Sequence, residues 1–204
     1  MSTPEFKGWF AGVGSRDTPE DVCKLMQKLA VVFYALGYGL SSGDARGADR
    51  AFWEGALLSP FYRKIGARIY LCDEWVRGRK ADPKNFFYNA QRFPTFEKAK
   101  QMAFEARGSF NGLNEWGINL HSRNVMQIHG ASLQDKVEYL VYWAIPVGKT
   151  EKVRGGTNTA LQIAKKAEVK HRINLYTPEG QVWASQFLNT PIAQEALRVA
   201  ELSA

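Results

Sequence analysis

The sequence predicts one α/β domain over residues 1–204, built on a doubly wound parallel sheet of about five strands. Two observations predict it. Short apolar runs alternate with amphipathic helical patterns, and glycine-framed bends stand where several of the runs give way to helices. The length of 204 residues suits one well-buried core with an insertion and is short for two. With 45% hydrophobic and 23% charged residues the composition is that of a globular chain.

Phe6 to Val13 reads as strand one, leaving through Gly14-Ser15-Arg16. Thr18 then serves as N-cap, Pro19 as first helical residue and Asp21 as the capping-box acid. Val22, Leu25, Met26, Leu29, Val32, Phe33 and Leu36 follow at helical spacing until Gly37 closes the helix. Glu20 and Asp21 place negative charge at the positive end of this helix, so it is a poor seat for an anion.

Tyr38 to Ser42 is strand two and leads into Ser42-Gly43-Asp44-Ala45-Arg46-Gly47-Ala48-Asp49, with a helix from about Gly47 to Leu58. Small residues, exposed helix-start amides and the planar fork of Arg46 make this bend a phosphate-binding corner. The plainer alternative is a tight turn whose glycines only permit close packing. Ala67 to Cys72 is strand three. Strand, helix, strand, helix, strand at this spacing implies right-handed crossovers, with ligands beyond the carboxyl ends of the strands.

Residues 73–120 interrupt the rhythm and read as a helical, aromatic-rich insertion, with one helix from Thr95 to Arg107. Its rings, Trp75, Phe86, Phe87 and Trp116 among them, interleave with Arg77, Arg79, Lys80, Lys84 and Arg92. Such a mixture either stacks nucleobases over a basic groove or packs the insertion onto the sheet. Val137 to Trp143 is strand four. A second corner, Arg154-Gly155-Gly156-Thr157-Asn158, precedes the next helix, and Arg172 to Thr177 is strand five. Thr190-Pro191 caps a final helix ending near Leu202.

The net charge of +7 is concentrated: residues 121–172 carry nine Lys/Arg against four Asp/Glu. A compact basic region fits a polyanionic ligand such as nucleotide or nucleic acid. Cys23 and Cys72 share no motif spacing with each other or with His121, His129 and His171. No metal site and no cofactor are expected. The N-terminal residues lack a basic-then-apolar pattern and no apolar run reaches membrane length, so a cytoplasmic protein with no membrane partner is expected.

In order and spacing, Gly14-Ser15-Arg16, the Ser42–Asp49 corner, Arg123-Asn124 at a helix start before strand four, and Gly155-Gly156-Thr157 after it resemble the motifs of the DprA-like, or SLOG, superfamily of Rossmann-type proteins. The resemblance spans residues 8–176, with 73–120 largely outside it, and the Ser42–Asp49 pattern is its most specific part. It implies that Gly14, Ser15, Arg16, Ser42, Gly43, Arg46, Gly47, Gly155, Gly156 and Thr157 surround a phosphate; Asp44, Arg154 and Asn158, beside them in the two corners, are read as further ligand-binding residues. Asp49 would cap its helix and orient Arg46. Arg123 and Asn124 would line the pocket or anchor a loop. The fold so implied often pairs through its outer helices, and a homo-oligomer is expected.

Three functions follow in order of preference. The first is binding of a nucleotide or nucleotide-derived small molecule, as a sensor, carrier or sequestering protein. The second is single-stranded DNA binding, as in the recombination mediator of that superfamily. The third is a nucleotide N-glycosidase. The phosphoribohydrolases of the superfamily carry P-G-G-x-G-T-x-x-E with a catalytic glutamate, whereas here Ala160 takes the position of that acid. Asp44, Asp49 and Glu54 are the remaining catalytic candidates near the phosphate corner, with Glu115 and Glu138 more remote.

Overall fold

The computed structural model describes residues 2–203. In chain order it contains β1 (Gly8–Gly14), α1 (Glu20–Ala35), β2 (Tyr38–Ser42), α2 (Ala48–Leu58), the single turn α3 (Tyr62–Ile65) and β3 (Ala67–Leu71). A two-stranded hairpin of β4 (Trp75–Val76) and β5 (Arg79–Lys80) precedes β6 (Phe87–Asn89), α4 (Phe96–Arg107) and α5 (Glu115–His129). Then come β7 (Tyr139–Trp143), α6 (Thr157–Lys166), β8 (His171–Asn174), α7 (Pro178–Leu188) and α8 (Pro191–Ser203).

Six strands form one sheet in the order β6-β3-β2-β1-β7-β8, every pair parallel. This is a Rossmann-like doubly wound α/β fold. Along β1 the side chains alternate between the two faces. Phe10 enters the core under α1, α2, α7 and α8, where it stacks on Phe33 with ring centroids 4.2 Å apart. Ala11 and Val13 turn to the other face, into the layer of α4, α5 and α6 with Met126, Ile128, Leu140 and Ile163. Burying a phenylalanine of this kind stabilises the fold by about 1.5–3 kcal/mol.

Four features depart from the sequence reading. A sixth strand, β6, pairs with β3 through Ile69–Phe87, Tyr70–Tyr88 and Leu71–Asn89, so part of the stretch read as an insertion completes the sheet edge. Helix α1 begins at Glu20 with Pro19, not Thr18, as its cap residue. The Thr18 hydroxyl instead donates to the Ser15 carbonyl (2.7 Å), closing the loop that leaves β1. Arg123 and Asn124 lie in the middle of α5, not at a helix start. The last strand stops at Asn174, and Thr177 caps α7, accepting from the Gly180 amide at 3.2 Å, with Pro178 in the first turn.

Candidate functional site

The chain leaves β1 for α1 on one face of the sheet and leaves the neighbouring β7 for α6 on the other. Two adjacent loops that part to opposite faces leave a crevice between them, at the switch point of the strand order. A cavity of about 370 Å³ lies there, with walls from the β1 exit loop, the start of α2, one face of α5 and the start of α6.

Of the residues singled out from the sequence, Gly14, Ser15, Arg16, Asp49, Arg123, Asn124, Arg154, Gly155, Gly156 and Thr157 line this cavity. Arg16 and Arg154 are exposed at its mouth and, among the described residues, neither has an acidic partner. Arg123 lies in the wall, with its Nη1 3.5 Å from Asp49 Oδ2 and both side chains buried. The position is built from both sides. Gly43 packs flat on the Arg123 guanidinium, where a Cβ would overlap it, and Asp49 receives the charge. Burial raises the Asp49 carboxyl above its ordinary range, against the Arg123 charge and the amides of Ala45 and Gly14, which pull it down.

Helix α6 opens on this cavity. Its cap residue Gly156 makes no side-chain cap and its first turn holds no acid; the Asn158 and Thr159 amides turn back to the Gly155 and Gly156 carbonyls, which leaves the Gly156 and Thr157 amides without a hydrogen-bond partner among the described residues. The Asn124 carboxamide donates to the Gly156 carbonyl (3.3 Å) and so ties this corner to α5. Around Gly155 and Gly156 there is open room: the nearest atom to a Cβ built on Gly156 is His121 Cε1, at 4.0 Å.

The other predicted residues are not in the cavity. Ser42 donates to the Gly12 carbonyl at 2.5 Å. Asp44 takes Arg79 Nε at 2.7 Å and Arg50 at 3.7 Å, so its carboxylate clamps the β4–β5 hairpin rather than facing a substrate. Gly47, at φ +78°, presses on the carbonyls of Ser15 and Arg16. Arg46 is exposed and stands 3.6 Å from Asp17, because the turn throws its side chain outward. Asp49 therefore orients Arg123 and not Arg46. Asn158 accepts from the Val153 amide and holds the loop. Glu54 accepts from Gln27 at the α1–α2 contact, and Glu115 and Glu138 are likewise absent from the lining.

The cavity also contains residues the sequence reading missed. Leu120, His121 and Gln127 line it beside Arg123 and Asn124, at the helical spacing 120, 123/124, 127 that could have revealed the face. Burial, with help from the charges of Arg107 and Arg123, pushes the His121 pKa down to about 4. Its Nδ1 pairs with the Thr159 hydroxyl at 2.9 Å. Ala160 forms part of the wall and brings no carboxylate. Of the basic segment, only Arg123 and Arg154 reach this space, since Lys165 pairs with Glu151 and Lys166 with the Glu105 carbonyl.

Among the described residues no group of three His, Cys, Asp or Glu is placed to hold a metal ion, and no helix is long and apolar enough to cross a membrane. Compared with family models, with curated proteins and with solved structures, the chain finds no match in any of the three.

Proposed function

We propose that the cavity binds the phosphate of a nucleotide or nucleotide-derived molecule, and that the chain acts as a sensor, carrier or sequestering protein within the DprA-like superfamily. One observation carries this reading. Arg16, Arg123 and Arg154 face one crevice together with the acid-free N-terminus of α6. Converging guanidinium groups and the two unpaired amides of Gly156 and Thr157 suit a phosphate in both charge and geometry. The acids near the site have other partners: Asp49 holds Arg123, Asp17, which also lines the cavity, stands beside Arg46, and Asp44 holds Arg79 and Arg50. Ligand retention therefore fits this wall better than acid–base chemistry.

Isothermal titration against mononucleotides, dinucleotides and cyclic dinucleotides tests the proposal. Wild type should bind at least one class, and Arg154→Ala and Arg16→Ala should each weaken it about tenfold. A wild-type protein that binds none of them ends the reading.

A second reading, single-stranded nucleic acid, is favoured by Trp75 and Trp116. These indoles are 62% and 40% exposed, with Lys80 and Arg77 set 5.9 and 5.8 Å from their ring centres. Phe86 and Phe87 do not serve this purpose, because they pack on Tyr62 and Trp53. Affinity for a single strand should then fall steeply with salt and fall again in Trp75→Ala. Salt-independent retention would exclude it.

A further inference from the structure

Among the polar side chains lining the cavity that the phosphate reading does not use, one has a buried amide without a partner. Gln127 lies in the last turns of α5, lines the cavity and is 1% exposed. Among the described residues its carboxamide has no hydrogen-bond partner, and its Nε2 is sealed from solvent as well. A buried amide donor without a partner is unfavourable, and native folds rarely keep one without a reason. The residue is not loosely placed. Its backbone carbonyl accepts from the Ser41 hydroxyl at 2.6 Å, and Arg68 Nε donates to that same hydroxyl at 2.9 Å. The helix is thus pinned to β2 at this residue, and the carboxamide starts from a fixed backbone.

The surroundings indicate what would satisfy it. Positive charge in the cavity comes from the arginines and the α6 terminus, with the acids Asp17 and Asp49 set beside Arg46 and Arg123, whereas the lining also includes Val13, Leu120 and Ala160, together with a His121 that is neutral at pH 7. A carboxamide offers one donor and one acceptor side by side, the complement of a planar amide-like edge and not of a phosphate. We infer that Gln127 is a specificity-determining residue: turned about its side-chain torsions toward the cavity it lines, its carboxamide pairs with a donor–acceptor edge on the uncharged part of the ligand, such as the rim of a nucleobase. This rests on the phosphate-site reading and adds to it that the ligand is bipartite, with an anionic end and a neutral hydrogen-bonding end.

The test compares wild type, Gln127→Met and Gln127→Glu in thermal unfolding and in titrations with nucleoside monophosphates and with inorganic pyrophosphate. Methionine keeps the volume and removes the amide, so a side chain kept for a ligand predicts an unliganded melting temperature equal to or above that of wild type. Nucleotide affinity should fall about tenfold in Gln127→Met while pyrophosphate affinity stays within twofold. Gln127→Glu, which exchanges the donor for an acceptor, should change the ranking among bases. A lowered melting temperature in Gln127→Met, or unchanged nucleotide affinity in both variants, overturns the inference and leaves the phosphate site standing. Wild type that binds pyrophosphate and no nucleotide overturns it as well. Wild type that binds neither removes both readings.

Discussion

Residues 41–49 and 154–158 both carry a strand toward a helix through two glycines and an arginine, yet one corner is closed on itself and the other is open. In the first, Gly43 lies against Arg123, Gly47 against the Ser15 and Arg16 carbonyls, and Asp44 is taken by Arg79 and Arg50. In the second, a Cβ on Gly155 meets nothing within 4 Å and Arg154 has no acidic partner among the described residues. The lesson is that glycine before a helix has two distinct uses. It can remove bulk so that neighbouring backbone closes in, or it can leave backbone amides uncovered. The first corner builds the wall that presents Arg123, and the second is the wall's exposed surface.

The largest effect expected from this contrast is on stability. Gly47→Ala adds a Cβ at φ +78° that strikes backbone carbonyls, including that of Arg16 at 2.8 Å, and should cost about 2–4 kcal/mol. Gly156→Ala, at φ −63°, should stay within about 0.5 kcal/mol. Urea midpoints for the two variants measure it, and equal losses would erase the distinction. Next, Asp44→Asn should destabilise by about 1–3 kcal/mol in the same assay, because two partly exposed arginines lose their buried carboxylate partner. Arg46→Ala should be near neutral, since its pair with Asp17 is solvent-exposed.

Binding should show the reverse pattern. Arg154→Ala should lose about tenfold in affinity, about 1.4 kcal/mol, with its melting temperature unchanged, while Arg46→Ala should retain wild-type affinity. An Arg46→Ala variant that fails to bind would return the phosphate seat to the first corner. The smallest effect is in the pH profile. His121 is held near pKa 4 when folded and returns to about 6.5 when unfolded, so the unfolded chain takes up the extra proton. Its contribution is complete above pH 6.5 and is lost as pH falls toward 4, on the order of 1 kcal/mol after allowing for screening. Burial lowers His129 too, so the readout is the difference between wild type and His121→Gln across that range.

The alternation from β1 to β3 was legible because each element there is local: α1 repeats its apolar residues at helical spacing and each strand is a short apolar run. Strand β6 was hidden because it is three residues long and each of its residues is paired with one eighteen positions away. Helix α5 was hidden for another reason. Its cavity face carries His121, Arg123, Asn124 and Gln127, so the hydrophobic period is interrupted where the residues line the cavity. The loops that meet at the cavity could be named from their glycines. Which arginine turns inward could not, because Arg46 and Arg123 are separated only by tertiary contacts: one meets Asp17 in solvent, the other Asp49 under cover.

The sharing of one guanidinium between Asp49 and the cavity has a consequence that calorimetry can read. An anion arriving at Arg123 competes with Asp49 for the same cation, and so weakens the Arg123 charge that draws the Asp49 carboxyl down against burial. Any proton the carboxyl exchanges with the medium on binding would make the observed heat vary with the ionisation enthalpy of the buffer. In that case the protein would respond to acidity as well as to its ligand, through a single shared positive charge.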